Sequence, residues 1–495
     1  MLCISLKYFV PLIIFLTVVD GIPIGAKREM VTIYKTFVET VTIDAATQNP
    51  EVYIPLSTNR RSSSSETLRD SSKKGTLMSS STTVATSLAA RETSHYSTRS
   101  STLKSRSKTS SSPSVPTSTY TNHIPNDAFE NTLNEVWDRF WLSEKNQWND
   151  DDSICDTNQF SEPVVWNQAV IGKAITNSKN TERIEKTAEA IYKYKNKSLG
   201  VYSATTAGDD DIYNDDNAQL VWVFVDGYKA TGNEKHLEAA KEVMQFLMTQ
   251  WNSQGKGGVI WKYKADYIAS ISTVEAALAA IRLYTITSDI DLLKFTEDCM
   301  DFMFEYFQDT DKLFFDGLNK NNYDDINKGK LSYTAGCALS TLAYLSKYSS
   351  KSNWKSKAIE IGMAAMNRNG ALYNGNSIWN NQLKYVHLLY AGYVDLLTLT
   401  DWDSEYSDFK QELLRQGSLM IEFLQDPDDK SLYFGLATGA TKKMFQKYEV
   451  TFKEDNVFEE NKDIYCNGNV NKPTKKSLMN NGSAAQILFE VSRIF

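Results

Sequence analysis

Residues 221–248 read VWVFVDGYKATGNEKHLEAAKEVMQFLM. The first half of this stretch is apolar on nearly every side, Gly232 and Asn233 interrupt it, and the second half mixes charged with apolar residues at helical spacing. An enclosed helix is apolar all round, whereas a helix at a surface keeps one polar face. The stretch therefore predicts a helical hairpin with an inner first helix and an outer second helix.

The hairpin pattern recurs along the chain with polar breaks roughly 50–60 residues apart, a period typical of repeat architectures. Its other copies are WNQAVIGKAITNSKNTERIEKTAEAIYKYK (166–195), LAAIRLYTITSDIDLLKFTEDCMDFMFEYF (278–307), LSTLAYLSKYSSKSNWKSKAIEIGMAAM (339–366) and AGYVDLLTLTDWDSEYSDFKQELLRQGSLMIEFL (391–424). Two helical segments remain, NDAFENTLNEVWDRFW (126–141) and GSAAQILFEVSRIF (482–495). If these two pair, they supply a sixth hairpin and close a ring. We therefore predict an all-α domain at 123–495 with the fold of an (α/α)6 barrel of six helical hairpins. An open solenoid is the alternative, and it would leave the last apolar helix uncovered.

The first 122 residues differ in character from this domain. Lys7 precedes an apolar run from Tyr8 to Val19, which has the length of a signal-peptide core and is short for a membrane span. We interpret residues 1–21 as a signal peptide. We therefore expect a secreted protein of the extracellular space or cell wall, with no transmembrane segment.

Two further segments precede the barrel domain. Residues 22–56 form a short N-terminal segment, whose β-branched residues favour one or two strands. Ser and Thr dominate residues 57–122, which cannot bury enough apolar surface to offset the entropy of ordering. We predict a disordered, O-glycosylated stalk there. The sequons at Asn196 and Asn481 are candidate N-glycosylation sites.

Cysteine spacing and charge limit the possible partners. Cys155, Cys299, Cys337 and Cys466 allow two disulfides in three pairings, and buried free thiols are the alternative. No cysteine spacing suggests zinc, and the acidic stretch 209–216 lacks the spacing of a calcium loop, so we predict no metal and no cofactor. The formal charge of −8 is concentrated outside the basic stalk, which argues against a nucleic-acid partner.

The long connections of the predicted barrel enter the inner helices from one end. Aromatic residues and Asp, Asn and Gly are frequent in these loops, which are 198–214, 252–270, 308–330, 370–380 and 427–481. Long loops on a rigid scaffold often carry binding residues. Aromatic rings with Asp and Asn suit a carbohydrate, because a sugar has apolar faces for stacking and hydroxyls for hydrogen bonds. The aromatic candidates are Trp166, Tyr202, Tyr213, Trp261, Phe315, Trp379 and Phe434.

Asp215 and Asp216 begin the second inner helix, at this same end. One aspartate suffices to cap a helix, so the second is available for chemistry. Side chains of consecutive residues at a helix start have bases roughly 5–6 Å apart, near the ~5–5.5 Å between the two carboxyl groups of retaining glycosidases. One carboxylate can attack an anomeric carbon while the other, held protonated by its neighbour's charge, donates to the leaving oxygen. Helix capping alone is the alternative interpretation.

Several motifs resemble glycoside hydrolase family 76, the bacterial and fungal endo-α-1,6-mannanases with an (α/α)6 fold. They are YNDDNA (213–218), YKATGN (228–233), LEAAK (237–241), GGVIWK (257–262) and Asp316-Gly317. The resemblance implies a retaining mechanism with Asp215 as nucleophile and Asp216 as acid/base, and a mannan substrate. Some fungal relatives are thought to act as transglycosidases on cell-wall glycans. The residues that we expect to bind substrate are Trp166, Tyr213, Asn217, Trp261, Tyr333 and Trp379.

Three stretches depart from that family's pattern. IASIST (268–273) stands where relatives have Lys-Asn-x-Ile-Ser-Asn, SYTAG (332–336) where they have Thr-Tyr-Asn-Gln-Gly, and NNQLKYV (380–386) lacks an arginine. We expect these positions to support sugar subsites. The sequence thus predicts a secreted, monomeric endo-α-1,6-mannanase or transglycosidase of the fungal cell wall. A catalytically weak mannan-binding cell-wall protein is the alternative.

Overall fold

The computed structural model describes residues 124–152, 154–155, 160–374, 378–401, 404–429, 431–452 and 461–495, and the backbone of two N-terminal strands. The predicted signal peptide and the Ser/Thr-rich stalk lie outside the described residues. The strands expected near the N-terminus are β1 (Glu29–Tyr34) and β2 (Val38–Ile43), which pair antiparallel. No helix among the described residues has both the length and the apolar character needed to cross a membrane.

Helices dominate the described residues after 124. They are α1 (Ala128–Phe140), α2 (Val165–Asn177), α3 (Thr181–Tyr192), α4 (Asn214–Thr231), α5 (Glu234–Thr249), α6 (Ser270–Thr287), α7 (Ile290–Phe302), α8 (Ser332–Tyr348), α9 (Trp354–Ala365), α10 (Leu383–Leu399), α11 (Ser404–Leu424), α12 (Lys442–Phe452) and α13 (Leu478–Ser492). The inner helices α2, α4, α6, α8, α10 and α13 contact one another in that order, and α13 contacts α2. The helices α3, α5, α7, α9, α11 and α1 pack outside them. The predicted (α/α)6 barrel is therefore confirmed.

The first and last helices close the ring, as the sequence predicts. On α1, Phe129 lies 5.2 Å from Phe489 of α13 between ring centroids. A buried charge network also joins the two ends of the domain. Arg139 of α1 lies 2.8 Å from Asp429, and the fully buried Lys476 lies 3.1 Å from the same carboxylate. Burial raises the pKa of Asp429, but its bonds to these two cations outweigh burial and lower it.

Local chemistry explains where three of the hairpins turn. The side chains of Asn180, Asn233 and Asp289 accept backbone N–H hydrogen bonds at the starts of α3, α5 and α7. Gly232 ends α4 with a φ of 72°, a left-handed conformation that glycine adopts without a Cβ clash. These positions are the polar breaks of the sequence pattern, so the short turns lie at the C-termini of the inner helices. We call this the turn end of the barrel.

The N-termini of the inner helices form the opposite end, which we call the loop end. Short strands lie in its loops: β3 (Trp141–Leu142), β4 (Gln147–Trp148), β5 (Lys195–Asn196), β6 (Val201–Tyr202), β7 (Tyr267–Ala269), β8 (Gly317–Asn319), β9 (Asn322–Asn327), β10 (Tyr373–Asn374) and β11 (Ile378–Trp379). They pair as antiparallel hairpins, except that β7, β8 and β9 form a three-stranded sheet. The sequence did not predict these strands or α12, which lies within the loop 427–481.

Of the four cysteines of the barrel domain, two form a disulfide and two are free. Cys155 is bonded to Cys466, which ties the segment before α2 to the segment before α13. Cys299 and Cys337 are buried free thiols, so the structure contains one disulfide among these four residues. The sequon residues Asn196 and Asn481 are also buried and hydrogen-bonded. The folded domain presents neither asparagine for N-glycosylation, which corrects that expectation.

Candidate active site

The adjacent aspartates occupy the first turn of α4 at the loop end. Tyr213, in extended conformation, precedes the helix, and its side chain does not cap the first turn. Instead Asp215 Oδ1 accepts the backbone N–H of Asp216 at 3.0 Å. The unpaired N–H groups and partial positive charge of a helix start stabilise carboxylates at these positions. Both side chains are enclosed, with exposed fractions of 0% for Asp215 and 4% for Asp216.

Trp261 contacts the first of the two aspartates. Its indole Nε1–H donates to Asp215 Oδ2 at 3.2 Å. The backbone positions this indole, because Asn214 N–H donates to the Trp261 carbonyl at 2.9 Å and the Asn214 side chain donates to the Ile260 carbonyl at 2.7 Å. The segment Gly257–Trp261 therefore runs beside the start of α4, and the Trp261 indole contacts the Asp215 carboxylate.

Two other aspartates of the acidic stretch, Asp210 and Asp211, have cationic partners. Lys262 pairs with Asp211, and Lys264 lies 2.8 Å from Asp210. The Lys262 ammonium also lies 4.9 Å from the ring centroid of Tyr213, whose pKa is raised by burial and then by Asp211. The acidic stretch thus separates into salt-bridged loop residues and the pair on α4.

Asn217 fastens the neighbouring hairpin to the helix. Its side chain accepts the N–H of Tyr202 and donates to the Tyr202 carbonyl, both at 2.9 Å. Asn481 of α13 makes the same pair of bonds to Tyr433. We predicted a substrate contact for Asn217; its bonds, all to the backbone, assign it instead to holding the loop.

Thr273 occupies the corresponding position of α6 and performs half of this task. Its hydroxyl accepts the Val259 N–H and donates to the Ala269 carbonyl, each at 3.0 Å. This is one of the positions where the sequence departs from the family pattern by losing an asparagine. We expected a sugar subsite there, and the structure places a loop anchor.

Aromatic rings from three inner helices meet at the loop end. Trp166 of α2 lies 6.0 Å from Tyr385 of α10, and Tyr333 of α8 lies 5.1 Å from Tyr385 on the other side. The ammonium of Lys384 lies 5.2 Å from the Tyr385 centroid. Trp166 and Tyr333 were predicted to bind substrate, and the structure brings them together. Tyr385 was missed, although it lies in the segment NNQLKYV that departs from the family pattern.

The remaining aromatic candidates divide by burial. Trp379 lies in the barrel wall, where its indole donates to the Ala365 carbonyl at 3.2 Å and its ring stacks on Tyr393. In this structure Trp379 is buried and packs within the wall, and its predicted substrate contact stays a prediction. Tyr202 and Phe434 are buried as well, whereas Phe315 is half-buried beneath Lys330.

Sequence reasoning also missed polar residues near the pair. Gln219, one turn after Asp215, donates to the buried Glu275 of α6 at 3.0 Å. Asp316 accepts hydrogen bonds from Tyr267 and Asn327, both at 2.8 Å. Helical spacing could have found Gln219, since residues four apart share one face. Within the described residues, no group of three or more His, Cys, Asp or Glu side chains is arranged to hold a metal ion.

Comparison with known proteins identifies relatives of this chain by sequence. A sequence model described as "Glycosyl hydrolase family 76" matches residues 127–418. The meiotically up-regulated gene 191 protein of Schizosaccharomyces pombe is 24% identical over 370 residues, covering 67% of this chain and 83% of that protein.

Solved structures share the fold at low sequence identity. A GH76 α-mannanase of Bacteroides thetaiotaomicron has a TM-score of 0.59 at 15% identity, covering 74% of this chain and 94% of its own. An inactive variant of a Salegentibacter α-1,6-mannanase, with two consecutive aspartates replaced by asparagine, is bound to α-1,6-mannotriose. It has a TM-score of 0.59 at 14% identity, covering 75% and 99%. Dfg5 from Chaetomium thermophilum, in complex with glucosamine, has a TM-score of 0.56 at 10% identity, covering 76% and 92%.

Proposed function

The chain belongs to glycosyl hydrolase family 76, and from this premise we propose that it is a retaining glycosidase that acts on α-1,6-linked mannan. The observation that carries the proposal is the adjacent pair Asp215 and Asp216 at the first turn of α4, with an indole N–H bonded to Asp215. Two carboxyl groups this close in sequence suit a double-displacement reaction. The Salegentibacter relative, inactive when two consecutive aspartates are replaced, supports the same assignment.

In the proposed mechanism, Asp215 attacks the anomeric carbon while protonated Asp216 gives its proton to the leaving glycosidic oxygen. The glycosidic bond breaks, and a covalent glycosyl ester forms on Asp215. The Trp261 indole N–H orients the attacking carboxylate. In the second step Asp216, now ionised, takes a proton from water or from a sugar hydroxyl, which attacks the anomeric carbon and releases Asp215. Water gives hydrolysis and a sugar gives transglycosylation.

A binding protein without turnover is the second candidate, and one observation favours it. Asp215 has an exposed fraction of 0% and is bonded to the Trp261 indole, so a sugar reaches its carboxylate only if the enclosing side chains move. A protein that kept these side chains in place would bind mannan at the surrounding rings without cleaving it.

The experiment that separates the two candidates uses α-1,6-mannan oligosaccharides with the purified full chain. The glycosidase releases or transfers products with retained anomeric configuration. Asp215→Asn abolishes these products, and Asp216→Asn strongly reduces them. Asp210→Asn is the matched control, because this residue carries the same carboxylate on the exposed loop and pairs with Lys264. Binding by the wild type with no product at any enzyme concentration would support the second candidate.

We also propose that the protein is secreted and acts on glycans of the cell wall. The apolar N-terminal run and the Ser/Thr-rich segment support this placement. The Cys155–Cys466 disulfide is consistent with it, because such bonds persist in oxidising compartments. Detection of the mature chain in the culture medium or wall fraction, with its N-terminus after residue 21, is the test; a chain that keeps residues 1–21 inside the cell contradicts it.

A further inference from the structure

A cavity of about 480 Å³ lies at the turn end of the barrel, opposite the aspartate pair. Its deeper wall is largely apolar and includes Trp222, Leu278 and Leu388. About one turn further along the same helices, its lining becomes charged, with Asp226 and Arg282 following Trp222 and Leu278. Cavities of roughly 300–1,000 Å³ that combine apolar walls with a few polar groups are typical of small-molecule sites.

The carboxylates of this lining are already paired. Asp226 receives two bonds from the Arg282 guanidinium, at 2.6 and 2.7 Å, and lies 3.0 Å from the Lys173 ammonium. Asp395 accepts the Ser340 hydroxyl at 2.9 Å and lies 3.3 Å from Arg493. Arg493 pairs with Glu490 as well, so each acid of the lining has a cation.

The cations of the lining outnumber these acids. They are Lys173, Lys179, Lys229, Arg282 and Arg493, against Asp226, Asp395 and Glu490. Lys229 makes no ion pair among the described residues. Desolvation and repulsion from Arg282 and Lys173 lower its pKa, although attraction to Asp226 and Asp395 opposes them. Three cations therefore lie near one another at this wall, and Lys229 is the one without an ion pair in the described part of the chain. The Tyr344 hydroxyl on the same wall has no hydrogen-bond acceptor among the described residues.

The C-termini of the inner helices account for part of this positive charge, since each carries about half a negative charge. Lys229 lies in the last turn of α4 and could serve only that purpose. That explanation leaves the spare hydroxyl and the apolar deeper wall without a role. A ligand that accepts hydrogen bonds and carries negative charge uses all three features.

We propose that the turn-end cavity binds a small organic anion, whose phosphate or carboxylate group contacts Lys229, Arg282 and Tyr344 and whose compact apolar body packs on Trp222 and Leu278. This site is separate from the aspartate pair. Its occupancy therefore stands or falls independently of mannan cleavage.

The test is calorimetric titration of the folded full chain with phenyl phosphate, benzoate and inorganic phosphate at constant ionic strength. We expect phenyl phosphate or benzoate to bind more tightly than inorganic phosphate, since only the first two reach the apolar wall. Whichever of phenyl phosphate and benzoate binds more tightly shows whether the site prefers a phosphate or a carboxylate group. Lys229→Met should weaken binding about tenfold or more, since a hydrogen bond to a charged group is lost, and Tyr344→Phe should weaken it less.

Lys241→Met is the matched control, because Lys241 is an exposed lysine of α5 that pairs with Glu238 on the outer surface. It removes the same charge and should leave binding unchanged. The proposal is overturned if no probe binds the wild type at millimolar concentration, or if Lys229→Met and Lys241→Met change the affinity equally. A Lys229→Met variant that loses stability but keeps the wild-type affinity shows that this lysine serves only the helix terminus, and overturns it too.

Discussion

Asp215 and Asp226 lie on the same helix, three turns apart, and their surroundings differ in kind. Asp226, at the turn end, is enclosed by Arg282 and Lys173, and these cations lower its pKa although burial acts in the opposite direction. Asp215, at the loop end, accepts hydrogen bonds from an indole and a backbone amide. A carboxylate fixed by cations contributes to stability, whereas one held by neutral donors keeps the nucleophilicity that catalysis needs.

The largest expected effect separates these two roles on one helix. Asp215→Asn should abolish turnover of α-1,6-mannan oligosaccharides, and Asp216→Asn should lower it roughly 10²–10⁴-fold, the usual contribution of an acid/base. Asp226→Asn should reduce the free energy of unfolding while the remaining folded protein keeps its kcat. Steady-state kinetics and denaturant unfolding of all three variants check this division. Equal loss of kcat in Asp226→Asn would remove the contrast between the two ends.

The second effect concerns stability at the turn end alone. Arg282→Ala leaves Asp226 buried with one cation fewer, and breaking a buried pair in this way costs about 3–5 kcal/mol. Urea unfolding measures the change. Lys186→Ala is the control, since its pair with Glu182 is exposed to solvent and should change the free energy of unfolding far less. If the double variant Asp226→Leu/Arg282→Met is no more stable than Arg282→Ala, the unpaired charge is not the cause.

The third effect tests the hydrogen bond at the loop end. Trp261→Phe removes the donor to Asp215, and such charge-assisted bonds contribute about 1.5–3 kcal/mol. We expect kcat/KM to fall about 10- to 100-fold. The free energy of unfolding should fall as well, because the buried carboxylate loses a donor. Trp379→Phe is the matched control, because that indole donates to a wall carbonyl. It should lower stability and leave kcat/KM unchanged; a rise in kcat/KM for Trp261→Phe would show that Trp261 acts mainly as a cover.

The barrel could be predicted from the sequence because each hairpin is decided locally. Asn233 and Asp289 cap outer helices where the pattern changes from apolar to amphipathic, so the breaks can be recognised in the sequence. The closing pair α1 and α13 followed from counting apolar faces. The strands of the loop end are mostly two or three residues long, too short for alternation to be read. They form because the barrel holds their ends together.

The candidate site was only partly visible in the sequence. The pair Asp215 and Asp216 stands out as adjacent letters, whereas its contact with Trp261 joins residues 46 positions apart. Trp379 is buried in a hairpin that no pattern marks. The sequence did contain one further signal. Asn217 and Asn481 are each the fourth residue of an inner helix, and from there each side chain donates to the carbonyl of the residue that precedes the helix.

The smallest effect compares the two ends by pH. Asp150 lies at the loop end, where its carbonyl accepts the Leu478 N–H and its carboxylate accepts the Asn167 amide. Burial raises the pKa of Asp150 to about 6, in spite of the Asn167 bond. Because this folded-state pKa lies above the ordinary value near 3.9, the group stabilises the fold at low pH, and the stabilisation is lost as pH rises towards and through 6. Asp226 has the opposite sign, since its lowered pKa adds stability above pH 4 and loses it below.

Asp150→Asn isolates this contribution, because it keeps an oxygen for Asn167 and removes the charge. We compare the free energy of unfolding of the wild type with that of the variant. The wild-type value minus the variant value should fall by about 1–2 kcal/mol between pH 4.5 and 7. Subtracting the variant removes the contribution of the buried His387, which is present in both proteins. The pKa of His387 is lowered to about 4, so it changes stability in the opposite direction over the same pH range. Unfolding by urea at half-unit pH steps measures both curves. A difference that stays flat between pH 4.5 and 7 would mean that Asp150 is solvated, and its contribution to the stability of the loop end would then not fall as pH rises.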